Sequence, residues 1–122
     1  MYELTKQFRF DAAHTLEREI ETEGSRRIHG HSYRAEVTLR GKPDPETGMI
    51  IDTGLLAKKL AQARDALDHR FLDEINDLGP GTMENLCAYI WRKLEDDISN
   101  LHSVAVLRDS TEDRVTYFGE GA

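Results

Sequence analysis

The chain has 122 residues, 39% apolar and 32% charged, with 16 Lys and Arg against 23 Asp and Glu for a net charge of −7. That length supports one domain with a real core, and no apolar run nears the ~20 residues a membrane-spanning helix needs. The acidic balance argues against broad binding to nucleic acid or an anionic membrane, although a local basic pocket for a small anionic ligand remains compatible with it.

Taken in chain order, residues 4–14, LTKQFRFDAAH, alternate: Phe8, Phe10, Ala12 and His14 share one face, and Gln7, Arg9 and Asp11 the other. The opening MYELTKQFRF has no basic region followed by an apolar block, so no leader peptide is expected. Residues 29–40 alternate again. His29, His31, Tyr33, Ala35, Val37 and Leu39 fall on one face, and Ser32, Arg34, Glu36, Thr38 and Arg40 on the other, the pattern of a half-buried antiparallel strand. The turn-rich GKPDPETG then predicts a link to a short third strand, MIID, at 49–52.

From Gly54 the period becomes helical, with Leu56, Leu60, Ala63 and Leu67 on one face. After a loop, DHRFLDEINDLGPG, Thr82 predicts the N-cap of a second helix over about Met83 to Ile98, with Leu86, Ile90, Trp91, Leu94 and Ile98 as its stripe. SVAVLRDS and RVTYFG close the chain as two strands about a TED turn. The order ββ-αα-ββ predicts an α+β domain, an antiparallel sheet with two helices on one face and the other face uncovered. Oligomerisation is one way to bury such a sheet. The single cysteine, Cys87, forms no internal disulfide and fits a cytoplasmic setting.

Three histidines carry the first chemical signal. His29 and His31 point to one side of a strand with Cβ atoms about 7 Å apart, within reach of one metal ion. His14 ends the preceding strand on its apolar face and joins them if the two strands pair. Three neutral imidazoles and an open position are the pattern of a catalytic zinc site. Imidazoles bonded to backbone carbonyls would explain the same H-x-H pair. Asp68 and His69 form a carboxylate and imidazole pair suited to proton transfer near neutral pH, or simply a polar helix end. Thr82, Glu84 and Asn85 open a helix, where capping suffices but a polar ligand would also meet free N–H groups.

The segments FRFDAAH, HGHSY, PDPETGMIIDTGLL, LDHRFLDE and GTMEN resemble the 6-pyruvoyl-tetrahydropterin synthase family, above all its 6-carboxytetrahydropterin synthase (QueD-like) branch of queuosine biosynthesis, from Phe8 to Glu120. The resemblance implies a tunnelling fold, a hexamer whose sheets form a barrel with active sites at subunit interfaces, and Zn2+ on His14, His29 and His31. It implies His69 as general acid/base with Asp68 as its partner, and a pterin pocket including Thr82 and Glu84. A family glutamate that holds the guanidine-like edge of the pterin aligns with Asp109, with Glu112 as the alternative. Arg26 and Arg27 are candidates for a triphosphate, or simply solvated arginines.

One position departs from the family. Typical members carry a cysteine base four residues before the first histidine of H-G-H, where this chain has Ser25. Serine needs an activator, so Glu23, or Glu21, is the candidate base in the ETEGS loop, with His69 acting alone as the other option. The expected activity is conversion of 7,8-dihydroneopterin triphosphate to 6-carboxytetrahydropterin, with pyruvoyl-tetrahydropterin or hydroxymethyl-dihydropterin formation, or a non-catalytic pterin- and zinc-binding homologue, as alternatives.

Overall fold

A computed structural model describes residues 1–120. Strands β1 (Tyr2–His14) and β2 (His29–Gly41) pair antiparallel along their whole length, from Tyr2 opposite Gly41 to His14 opposite His29. The alternation seen in the sequence fixes which side each residue takes. Phe10, Ala12 and His14 of β1 are buried together with Tyr33, Ala35, Val37 and Leu39 of β2. Strand β4 (Leu101–Arg108) pairs antiparallel with β2, and β5 (Asp113–Tyr117) with β4. A two-residue strand, β3 (Arg70–Phe71), runs parallel to β1 at Ala12 and Ala13. The five-stranded order is β3-β1-β2-β4-β5, mixed only at the β3 edge.

Helices α2 (Thr53–Asp65) and α3 (Met83–Leu94) cover one face of this sheet. Leu56, Leu60 and Ala63 of α2, and Leu86, Ile90 and Leu94 of α3, join Phe10, Tyr33, Val104 and Val106 in a single core. Thr82 caps α3 as its sequence predicts, its Oγ1 accepting from the Asn85 N–H at 3.2 Å. The opposite face carries no helix among the described residues. Its polar side chains pair across strands instead: Thr5 with Thr38, Ser32 with Asp11, Arg114 with Glu36, and Arg34 with Gln7, Glu36 and Asp109.

Three local expectations change. MIID forms no strand: the Met49 carbonyl accepts from the Asp44 N–H and the Ile50 carbonyl from the Asn100 side chain, so the segment folds onto its own turn rather than a sheet edge. Helix α3 stops at Leu94, ahead of Glu95, Asp96 and Asp97, whose charges oppose the negative end of the helix dipole. The ETEGS loop is in part a five-residue helix, α1 (Thr22–Arg26).

Candidate metal and substrate site

The register of β1 and β2 sets His14 directly across from His29, and Ala12 across from His31. All three imidazoles therefore project from one end of the sheet on the helix side, with ring centroids 4.5, 4.9 and 5.1 Å apart. Their candidate ligand nitrogens lie within 4.8 Å of one another. His14 Nδ1 sits 2.7 Å from the Gly81 carbonyl and His29 Nδ1 2.8 Å from the Arg27 carbonyl. A carbonyl only accepts, so both Nδ1 atoms carry the proton and both Nε2 atoms present lone pairs. Burial, above all, holds the His14 imidazole below its ordinary pKa and lowers that of His31 to about 4, with the Arg108 guanidinium pushing the same way. Both rings are neutral at pH 7, the form that binds metal.

His14 Nε2 is buried without a hydrogen-bond partner. A buried imidazole lone pair left unused costs free energy, and a cation shared with the other two imidazoles would satisfy it. Three neutral nitrogens, two of them oriented through Nδ1–H bonds to carbonyls, fit a zinc ion with an open position.

Around the cluster the chain builds a cleft of about 470 Å3, lined among others by Arg18, Glu21, Ser25, His29, His31 and Arg108. A second, on the His14 side, holds Gly81, Thr82, Glu84, Arg108, Asp113 and Arg114. Thr82 and Glu84, which the resemblance assigns to a pterin pocket, line this second cleft. Ser25 is 2% exposed, and its hydroxyl donates to the Thr22 carbonyl while accepting from the Arg18 N–H. Its carbonyl accepts from the Leu16 N–H at 2.7 Å. Ser25 is therefore the staple of the β1–β2 connection. Glu21, in a left-handed conformation and paired with Arg18 at 3.0 Å, faces the cleft. The Glu23 carboxylate, 90% exposed, is drawn instead to Arg27 at 3.7 Å. Arg27 contributes its backbone carbonyl to His29, while its guanidinium is in solvent.

Asp109 does not face the imidazoles. Both its oxygens accept from Arg34 at 2.9 Å, on the uncovered side of the sheet, and this pairing keeps its carboxyl below the usual range. Glu112 is exposed in a left-handed turn. The residue on the histidine side is Arg108, because Val104, Val106 and Arg108 alternate onto the core face of β4. Its Nη1 lies 3.5 Å from His31 Nε2. The sequence reading missed it, although the same two-residue period that assigned the histidines would have placed it.

Asp68 and His69 gather elsewhere. They turn along the outer edge of β1, where the Asp11 N–H donates to Asp68 at 2.9 Å and the His69 N–H to the Asp11 carbonyl at 2.7 Å. The Asp11 N–H chiefly, with His69 and Arg64 adding, holds the Asp68 carboxyl below the usual range. His69 Nδ1 is 3.0 Å from Asp68 Oδ2. The residue has a φ of 58°, and its ring is 80% exposed. With Asp11 the pair forms a cluster separate from the three imidazoles.

Known proteins similar to this chain in sequence and in fold are pterin synthases. The family model described as 6-pyruvoyl tetrahydropterin synthase matches residues 3–120. A 6-carboxy-5,6,7,8-tetrahydropterin synthase of Synechocystis is 37% identical over 118 residues, covering 91% of this chain and 89% of that protein. The human 6-pyruvoyl tetrahydrobiopterin synthase is 35% identical over 98 residues, covering 75% and 67%. The solved 6-pyruvoyl tetrahydropterin synthase of Caenorhabditis elegans superposes with a TM-score of 0.86 at 29% identity, covering 98% and 96%. The chain belongs to the 6-pyruvoyl tetrahydropterin synthase family, whose enzymes are lyase-type pterin synthases.

Proposed function

We propose that this protein is a zinc-dependent lyase that converts 7,8-dihydroneopterin triphosphate to 6-carboxy-5,6,7,8-tetrahydropterin, in the branch that feeds queuosine. The convergence of three imidazole lone pairs, two of them oriented by carbonyls, carries this reading. The similarity to the Synechocystis protein supports the choice of product. A zinc ion on His14, His29 and His31 would supply Lewis acidity, polarising the hydroxyl and keto oxygens of the substrate side chain.

The chain's own residues do the rest. Thr82 and Glu84 bind the pterin, Glu84 accepting from ring N–H groups, a role that the pairing of Asp109 with Arg34 leaves open. His69 takes and returns protons at side-chain carbon and oxygen, and Asp68 holds its Nδ1 side. Glu21 replaces Glu23 as the nearer candidate base in the Ser25 loop. Because Asp68 and His69 stand apart from the imidazoles, the complete site joins two subunits of an oligomer, which family resemblance makes a hexamer. A cytoplasmic setting fits a free thiol and a soluble pterin substrate.

A second reading is a metal- and pterin-binding protein without turnover, favoured by the commitment of the Ser25 hydroxyl to the Thr22 carbonyl. The separating experiment is single-turnover incubation of zinc-loaded protein with 7,8-dihydroneopterin triphosphate, products read by mass. 6-Carboxytetrahydropterin is the expected product, with loss of at least about 100-fold in rate for Glu21→Gln and His69→Ala, the scale of general acid–base catalysis. No product from stoichiometric protein overturns the enzyme reading. Full activity in Glu21→Gln, Glu23→Gln and Ser25→Ala alike removes the base from this loop.

A further inference from the structure

Arg108 ends β4 with its side chain only 20% exposed, an unusual depth for a guanidinium. Nη2 donates to Asp113 at 3.1 Å, Nη1 lies 3.5 Å from His31 Nε2, and Nε is buried with no partner. The Tyr33 hydroxyl is buried on the same face, close enough for the Arg108 guanidinium to favour its ionised form against the effect of burial. Arg108 lines both clefts around the three imidazoles. A guanidinium accepts no hydrogen bond, so it cannot hold the N–H edge of a ring. Its planar set of donors suits carboxylate and phosphoryl oxygens.

Charge balance points the same way. In the imidazole cleft Arg18 is paired with Glu21, and Arg108 with Asp113. The three imidazoles are neutral donors when they bind metal. A divalent cation there adds two positive charges beside a guanidinium that already touches one of the ligand nitrogens. At such range in a partly desolvated site the repulsion is large, and an anion in the same pocket removes it.

We propose that Arg108 anchors an oxyanion subsite, taking a carboxylate or phosphoryl oxygen of the ligand beside the three histidines, so that metal and oxyanion bind cooperatively. The proposal rests on metal binding by His14, His29 and His31, as in the reading above. Asp113 keeps the guanidinium aimed at the pocket, and the His31-facing Nη1 is the donor left for the ligand.

The test uses full-length protein loaded with Co2+, whose visible absorption reports the fourth position, titrated with acetate and with methyl phosphate as the carboxylate and phosphoryl probes. The wild type should give a saturable spectral change, and the tighter of the two probes identifies the class of oxyanion. Arg108→Met, shown by circular dichroism and cobalt content to be folded and loaded, should bind that probe at least about 10-fold more weakly, the scale of one desolvated charge-assisted pair. Unchanged affinity in Arg108→Met overturns the subsite. Reciprocity adds a measurement on the wild type alone: the saturating probe must tighten Co2+ binding by the same factor by which Co2+ tightens the probe. Equal Co2+ affinity with and without probe sinks the proposal even if the variant does not fold. Product formation from 7,8-dihydroneopterin triphosphate is scored separately. A wild type that makes no product fails the lyase reading and leaves the titration to decide the subsite.

Discussion

Cys87 lies wholly inside the core, its thiol donating to the Val115 carbonyl at 3.3 Å. Burial pushes its pKa up from 9.0 to about 12, which removes the thiolate that any nucleophilic or basic role would need. Ser25 therefore gains no thiol from elsewhere in the chain. A thiol reagent should leave native protein unmodified at pH 8 and titrate one thiol per chain after unfolding. Rapid labelling of native protein would contradict the burial. The same shift sets a pH dependence. A pKa raised by folding contributes stability that is fully present below about pH 9 and is lost as pH rises toward 12. Denaturant unfolding of wild type and Cys87→Ala should show the wild type losing stability relative to the variant across that window, and parallel curves would refute it. At this scale much of the site was legible. The gathering of His14, His29 and His31 at one end of the sheet followed from period-2 spacing once the strands paired, whereas their reading as a ligand set came from the family resemblance. The acids were not legible, because Glu21, Glu23 and Asp109 differ only in which arginine they find, Arg18, Arg27 or Arg34, and that choice belongs to tertiary structure.

Elements explain why His14 is held so firmly. It closes β1, but its orientation comes from the segment before α3, where the Gly81 carbonyl accepts from Nδ1. A Cβ at Gly81 would stand 3.2 Å from His14 Cβ and from Leu72 Cβ, and 3.3 Å from His14 Nδ1. A side chain at this position would therefore press on the His14 ring that the carbonyl orients. Gly81→Ala should weaken metal affinity by about 10-fold or more, the range for a lost outer-shell partner, while far-UV circular dichroism stays unchanged. Competition against a chromophoric chelator measures it, and unaltered affinity would show that the carbonyl contact does not orient the ligand. The elements with their own hydrophobic period, β1, β2, α2, α3, β4 and β5, were all readable from the sequence. The failures share one cause. MIID, α1 and β3 are too short to carry a period, so their state depends on which backbone groups remain free: Asp44 for the first, Arg18 and Leu16 for the second, and the edge of β1 for the third.

On the scale of the whole molecule, the helices bury one face of the sheet and leave the other as a polar lattice around Arg34, Glu36 and Arg114. The Asp68 and His69 pair follows the same division. The three imidazoles look toward the helix side, while His69 stands exposed at the outer edge of β1. A site that needs both sets must draw them from different copies if the proposed oligomer forms. Subunit complementation tests this without a structure of the assembly. His31→Ala and His69→Ala should each be inactive alone. Unfolded together at equal ratio and refolded, they form mixed interfaces at random, and one interface type in four carries both intact residues, so activity should return to about a quarter of wild type. If one chain supplied the whole site, every site in the mixture would hold one defect, and no activity would return. A recovery near one quarter that requires co-refolding, and is absent when separately refolded variants are merely mixed, would assign the imidazole cluster to one subunit and His69 to its neighbour.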